Sequence, residues 1–311
     1  MANPFDPAAV SDETAAFNRG LETMLAAIPK PYQVPVALTR KAREEGRGIF
    51  PEAGPRPGSD WQEIPGAAGR AARVRVSLPP GAPRGTYLHI HGGGWTFNAP
   101  QHYDQHNQRI AKAATCRVIS IEYRLAPENP WPTQAEDCLA AALWALDAFD
   151  GPVVIGGESA GGHLSAVILL RLRAAGRLAR IAGAVLNYGV FDMRGTPSVR
   201  NWGERYLVLS TPVIDWFGAN LMAGHPPEDP DLSPLLADLA GFPPSLLQVG
   251  TADPLLDDTL FMAARLKAEK ISAELAIYPG GVHAFDQFDL AIARAANARQ
   301  DAFIAACLVG A

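Results

Sequence analysis

The stretch Val153-Val154-Ile155-Gly156-Gly157-Glu158-Ser159-Ala160-Gly161-Gly162-His163 leaves the chain few ways to fold. A β-branched run favours an extended strand. A G-x-S-x-G turn over 157–161 follows at once, and Leu164, Val167, Ile168, Leu169 and Leu170 continue as a helix. Strand, sharp turn and helix in that order put the serine at the tip of a tight bend, its hydroxyl clear of any sheet. The bend needs neighbours without bulky side chains, and Gly157, Ala160, Gly161 and Gly162 meet that need. The same five residues can also occur in an ordinary surface Ser-Gly turn, so the rest of the chain decides between the two.

From residue 87 the pattern alternates. Strands are predicted over 87–91, 117–123, 153–158, 181–186, 245–249 and 273–278, and helices over 104–114, 133–146, 160–170, 255–270 and 285–307, with Thr133 and Glu136 as a capping box. Such alternation predicts an α/β architecture, a mostly parallel central sheet flanked by helices on both faces. Reactive groups then gather at the carboxyl ends of the strands. Residues 1–45 read as an N-terminal helical arm, with Ser11 as N-cap and Phe17, Leu21, Met24, Leu25 and Ile28 at helical spacing. Residues 46–69 read as a connector, and 73–78 as an edge strand. Residues 191–239 break the alternation with aromatic residues and six prolines, the pattern of a lid inserted between core strands. The chain therefore divides into an arm (1–45), a first core part (46–190), a cap insertion (191–239) completed by the arm, and a second core part (240–311).

A serine hydroxyl is a weak nucleophile and needs a base, a group to orient that base, and donors for the developing oxyanion. Of seven histidines, His283 stands in a loop after the last strand and before the last helix. Asp253 follows the preceding strand; with Pro254 at N1 it would also serve as a helix cap, a role compatible with orienting His283. Asp257 and Asp258 fall inside the predicted helix and read as part of a solvated face. The oxyanion donors are sought in His91-Gly92-Gly93-Gly94-Trp95, where three glycines let backbone amides approach a reacting carbonyl. A phosphate loop is excluded, since no Lys-Ser or Lys-Thr follows and G-x-G-x-x-G is absent. His89-x-His91 and His102-x-x-x-His106 are spacings that can hold zinc. His89, however, alternates out of the strand feeding the glycine loop, and the second pair lacks the glutamate of H-E-x-x-H, so no metal is expected.

Taken together, His91-Gly92-Gly93-Gly94-Trp95, the segment from Tyr123-Arg124-Leu125-Ala126-Pro127-Glu128 to Trp131-Pro132, the 157–161 turn, Asp253-Pro254-Leu255 and Val282-His283-Ala284-Phe285 give the chain a close likeness. From about residue 70 onward it resembles the α/β-hydrolase fold, and within it the hormone-sensitive-lipase-like esterases. The resemblance implies a catalytic triad of Ser159, Asp253 and His283, an oxyanion hole from the amides of Gly93, Gly94 and Ala160, and a helical cap. It departs from the family at two places: Glu158 stands where Asp is usual before the serine, and Ala284 where the loop commonly reads H-G-F. Arg124 and Glu128 are read as a structural pair bracing the glycine loop.

The implied activity is hydrolysis of short- to medium-chain carboxylic esters through an acyl-enzyme, with no cofactor. Trp95, Tyr188, Trp202, Tyr206 and Phe285 are candidates for lining the substrate pocket. Two other readings stay open: an amidase such as an arylformamidase using the same triad, and a non-catalytic small-molecule receptor, against which the presence of His283 argues. A net charge of -5 without a basic run predicts no nucleic-acid partner. No apolar run is long enough to span a bilayer, and no secretory signal is visible at the start. The scattered Cys116, Cys138 and Cys307 fit reduced thiols in a cytoplasm. Homodimerisation through an edge strand or the last helix is common among similar proteins.

Overall fold

Successive residues of the predicted strands alternate between two apolar environments, which requires a sheet covered on both sides. In the computed structural model, which describes residues 3–50 and 54–309, this is the arrangement observed. Residues 1–2 of the expected arm, 51–53 of the connector and 310–311 of the last core part lie outside the described residues. The strands are β1 (Ser59–Pro65), β2 (Ala71–Ser77), β3 (Thr86–Ile90), β4 (Arg117–Ile121), β5 (Val153–Glu158), β6 (Ile181–Asn187), β7 (Ser245–Ala252) and β8 (Ala273–Val282). They form one sheet in the order β1-β2-β4-β3-β5-β6-β7-β8. β2 runs antiparallel to both β1 and β4, and the strands from β4 to β8 pair in parallel.

The helices are α1 (Asp12–Ala26), α2 (Val36–Glu44), α3 (Asp104–Ala114), α4 (Thr133–Ala148), α5 (Ala160–Ala174), α6 (Pro197–Trp202), α7 (Thr211–Met222), α8 (Leu256–Ala268) and α9 (Ala291–Val309). Leu88, Ile119 and Ile155 join one buried cluster with α4 and α5, while Tyr87, Val118 and Val154 join another with Ile110 of α3 and Ile304 of α9. The neighbouring positions thus face opposite ways, and every residue of β5 is buried. Each fully buried Val, Leu or Ile contributes about 1.5–3 kcal/mol, so the centre of the sheet is the rigid frame from which the loops project.

Several expectations need correction. Part of the connector is a strand: β1 covers β2, so the expected 73–78 strand is not at the edge. α4 begins at Thr133 with Pro132 as its N-cap residue, so Thr133 is not a capping-box N-cap. α8 starts at Leu256 with Leu255 at its N-cap, which puts Pro254 before the helix and not at N1. The last helix starts at Ala291, preceded by a single turn over Phe285–Gln287.

Ser11 does cap α1, its Oγ accepting from Thr14 N at 3.2 Å. Leu21 and Leu25 are buried with Tyr278, Val282 and Phe285, whereas Met24 and Ile28 of the same stripe are exposed. α2 lies on the loop after the glycines. Arg40 there donates to Thr96 O at 2.9 Å and Ala126 O at 2.8 Å and holds both oxygens of Glu128. The expected Arg124–Glu128 pair is therefore not formed: Arg124 grips Asp137 of α4. The insertion carries α6 and α7, and Trp216 and Phe217 of α7 pack on Phe97.

Candidate active site

The turn after β5 is built by what its neighbours forbid. A Cβ on Gly157 would stand 2.1 Å from Ile90 O, and one on Gly161 1.8 Å from the same oxygen. Only glycine lets the turn pack this closely against the end of β3. Ser159 itself sits at φ 57°, ψ -119°, a conformation that costs a non-glycine residue about 1–3 kcal/mol and that the surrounding packing maintains.

The loops after β5, β7 and β8 bring three side chains together. His283 Nε2 lies 2.9 Å from Ser159 Oγ, and His283 Nδ1 lies 2.9 Å from Asp253 Oδ2. The other carboxylate oxygen of Asp253 accepts from Leu255 N at 2.9 Å, so the aspartate caps the chain ahead of α8 and faces His283 at once. With Nδ1–H held by the carboxylate, Nε2 is left unprotonated toward the serine, the tautomer a general base requires. Asp253 and His283 are buried. Ala284, where the resemblance expects glycine, adopts the left-handed region at φ 58°, which raises the local cost by about 1–2 kcal/mol without moving His283 out of reach.

The glycine loop is held from both sides. Glu158 is buried; its Oε1 accepts from Gly92 N at 3.1 Å, and its carboxylate receives His89 Nε2 at 3.2 Å. His89 Nδ1 is then free to accept from Ser120 Oγ at 2.8 Å. Glutamate thus reaches both the loop and β3 from the position before the serine. His91 donates to Gly92 O at 2.9 Å, and its carbonyl accepts from Tyr123 Oη at 2.9 Å; burial lowers the His91 pKa to about 3, keeping it neutral. Gly93 has φ +114°, and a Cβ there would meet Phe97 O at 2.4 Å. The amides of Gly93, Gly94 and Ala160 take part in none of the turn, loop or capping hydrogen bonds found among the described residues. All three residues line the same cleft as Ser159.

One cleft, ≈ 760 Å³ out to its open mouth, contains Ser159, His283 and the three glycines. Trp95, Tyr188 and Tyr206 line it as expected, but Trp202 and Phe285 do not. Trp202 turns back to donate to Arg205 O at 2.7 Å, and Phe285 is buried against Tyr278 with ring centres 5.0 Å apart. Trp95 is fixed by Nε1 donating to His163 Nδ1 at 3.1 Å while His163 Nε2 donates to Leu232 O at 2.8 Å. Burial lowers the His163 pKa to about 4, so it stays a neutral bridge to the insertion. Tyr188 packs edge-on to His283 and donates to Asp286 at 2.5 Å; Asp286 is pushed up to about 6, chiefly by burial. The walls also include Arg43, Phe50, Leu209, Ile214 and Phe217. Nothing in the sequence marked these, since the arm and α7 reach the cleft only through tertiary packing.

Two further groupings were not foreseen. Asp258 is buried, not solvated, and accepts from Phe191 N, Asp192 N and Thr196 Oγ1 at 2.7, 3.1 and 2.6 Å. It anchors the start of the insertion, and burial raises its pKa to about 7 against those bonds. The histidines do not pair by sequence spacing: His89, His106 and Glu158 come together, their ligand atoms within 4.8 Å of one another. Each already has protein partners, His106 contacting Arg109 and Gln300 at 3.3 Å.

A profile described as the alpha/beta hydrolase fold matches residues 87–287. Among curated relatives, the carboxylic ester hydrolase LipN of Mycobacterium tuberculosis is 34% identical over 71% of this chain and 62% of its own, so the match spans less than two thirds of that relative's length. Ethyl acetate hydrolase of Pseudomonas putida is 31% identical over 70% of this chain and 72% of its own. Among solved structures, an esterase of Pyrobaculum calidifontis superposes with TM-score 0.82 at 29% identity over 92% of this chain and 97% of its own. A hormone-sensitive lipase from a metagenome library gives TM-score 0.84 at 27% identity over 95% and 98%.

Proposed function

The chain belongs to the alpha/beta hydrolase family, and from that premise we propose that it is a serine carboxylesterase using Ser159, His283 and Asp253. The observation that carries this is the unbroken contact from Ser159 Oγ through the His283 ring to Asp253 Oδ2, 2.9 Å at each step. As Ser159 attacks the acyl carbon, His283 Nε2 accepts its proton and Asp253 stabilises the resulting imidazolium. The amides of Gly93, Gly94 and Ala160 receive the oxyanion, each such donor worth about 2.7–4 kcal/mol of transition-state stabilisation. His283 then protonates the departing alcohol. Water, activated by the same nitrogen, attacks the acyl-enzyme to release the acid.

The arm and the insertion act together as the cap in this reading. Arg205 of the insertion pairs with Glu22 of α1, Lys30 stacks on Tyr206, and Phe217 closes over the glycine loop. Walls of Trp95, Leu209, Ile214 and Phe217 favour short to medium acyl chains. No helix among the described residues is long and apolar enough to cross a membrane. The cytoplasm is the proposed compartment because Cys116, Cys138 and Cys307 are unpaired. The test is Ser159→Ala assayed on p-nitrophenyl butyrate: turnover should fall by about 10⁴-fold or more with the melting temperature unchanged. Turnover within tenfold of the parent would reject the assignment.

A further inference from the structure

Hydrolysis of a neutral ester has no use for a cation in the cleft, yet one is there. Arg43, in the last turn of α2, lines the cleft together with Ser159 and His283. Its guanidinium donates to Asn98 Oδ1 and stands 4.9 Å from the centre of the Phe97 ring. Among the described residues no carboxylate lies within ion-pair distance of it. Arg40 holds Glu128, Arg75 holds Asp104, Arg109 holds Asp301 and Arg124 holds Asp137; the half-buried Arg117, Arg180 and Arg265 also lack a carboxylate among the described residues, but they bond to other protein oxygens and none of them lines this cleft. A guanidinium carries five N–H donors in a planar fork suited to a carboxylate, and Asn98 occupies only part of that capacity. Burial of the unpaired charge lowers the Arg43 pKa from its usual value, the signature of a cation short of a counter-ion.

The surroundings do not supply that counter-ion. Glu158 is committed to Gly92 N and His89, and Asp253 to His283 and Leu255 N. A second cation reinforces the first: Lys30 Nζ lies 3.8 Å from the centre of the Tyr206 ring, whose residue lines the same cleft, and it too lacks a carboxylate partner among the described residues. A chain of net charge -5 thus sets one cation in the wall of the cleft that holds its reactive serine and a second behind the Tyr206 ring of that wall. Such a field draws anions in and repays the desolvation of Arg43 when one binds.

We infer that the cleft takes esters that carry a free carboxylate, such as monoesters of dicarboxylic acids, and that Arg43 is the residue that selects them. This rests on the ester-hydrolase reading above. Arg43 also props Asn98, whose Nδ2 donates onward to Tyr103 Oη at 3.2 Å and Gly92 O at 3.4 Å. Loss of such a prop would slow neutral and charged esters by the same factor, so the ratio between them is the informative quantity.

The experiment measures kcat/KM for monoethyl succinate, glutarate, adipate and pimelate, and for neutral ethyl esters of matching length, with the parent, Arg43→Met and Arg43→Lys. A second set with the carboxylate on the alcohol side, butanoyl esters of hydroxy acids, covers the opposite orientation. The parent should hydrolyse at least one anionic ester ten times faster than its neutral counterpart. Arg43→Met should remove that preference, and Arg43→Lys should keep part of it. If neutral esters turn over and no anionic ester is preferred, or if the ratio survives in Arg43→Met, the inference is overturned while the esterase reading stands. If the parent hydrolyses neither class, the esterase reading falls and this inference with it.

Discussion

Gly94→Ala is the sharpest probe of how the cap and the glycine loop fit together. A Cβ at this position would stand 2.3, 2.4 and 2.5 Å from three carbons of the Phe217 ring. Ordinary carbon contacts are about 3.5 Å, so the ring or the loop has to retreat by about 1.2 Å. The ring has little freedom, being packed edge-on to Phe97 at 5.6 Å and tilted against Trp216 at 5.1 Å between centres. Overpacking of this kind costs about 1–3 kcal/mol, and a methyl at φ +59° adds about 1–2 kcal/mol of left-handed strain. The expected loss of stability is therefore about 2–5 kcal/mol, read as a urea midpoint. If the loop is what yields, the Gly93 and Gly94 amides leave the oxyanion position and kcat falls by about 10²–10³. Phe217→Ala should then relieve Gly94→Ala: the double variant should regain part of kcat, and its stability should exceed the additive value by about 1–3 kcal/mol. A parent-like urea midpoint in Gly94→Ala, or no relief of its stability loss by Phe217→Ala, would refute the claim that α7 seats directly on the reactive loop.

Arg40→Met should loosen the same loop from the arm side. Its ion pair with Glu128 is partly exposed and worth at most about 1 kcal/mol, but its bonds to Thr96 O and Ala126 O should bring the total loss to about 2–3 kcal/mol. Equal kcat and urea midpoints in variant and parent would show that α2 rests on the loop without holding it. Asp258→Asn tests the buried carboxyl behind the insertion. With its folded-state pKa raised to about 7, the native state binds the proton more tightly than the unfolded chain. Stability from this group is full at low pH and is lost as pH rises from the ordinary carboxyl range toward 7. The difference in unfolding free energy between variant and parent should therefore shift in favour of Asp258→Asn by up to about 1.4 kcal/mol per pH unit across that window. A difference that stays constant between pH 4.5 and 7.5 would show that the carboxyl is not perturbed by burial.

Much of the frame was legible from short-range pattern alone. The strand expected over 117–123, which ends at Ile121, and the 181–186 strand are legible because their apolar runs are buried on both faces, and the 104–114 helix because Ile110, Ala111 and Ala114 recur on one buried face. β1 was hidden because 59–65 is mostly polar on its outer side and follows a Gly- and Pro-rich stretch. Asp258 looked like a solvated helix residue because helical spacing does not reveal that the insertion folds over that face. An Arg124–Glu128 pair is a reading the sequence allows, whereas the partner of Glu128 is Arg40, 88 positions away. Aromatic character makes Trp202 and Phe285 pocket candidates, but it does not say whether a ring faces a cleft or a core, and neither lines the cleft.

What the sequence determined by itself was the local backbone: which segments are strands and helices, where glycine is compulsory, and the order in which the serine, the aspartate and the histidine leave the sheet. Those follow from sterics and hydrophobic period, which act over a few residues. Only the tertiary structure decided which distant side chains share a space. The 2.9 Å contacts of His283, the grip of Glu158 on Gly92, and the approach of Arg43 without a carboxylate all depend on how the arm and the insertion settle on the sheet. That settling is governed by shape and charge complementarity between surfaces far apart in the chain, and no periodicity in the sequence encodes it.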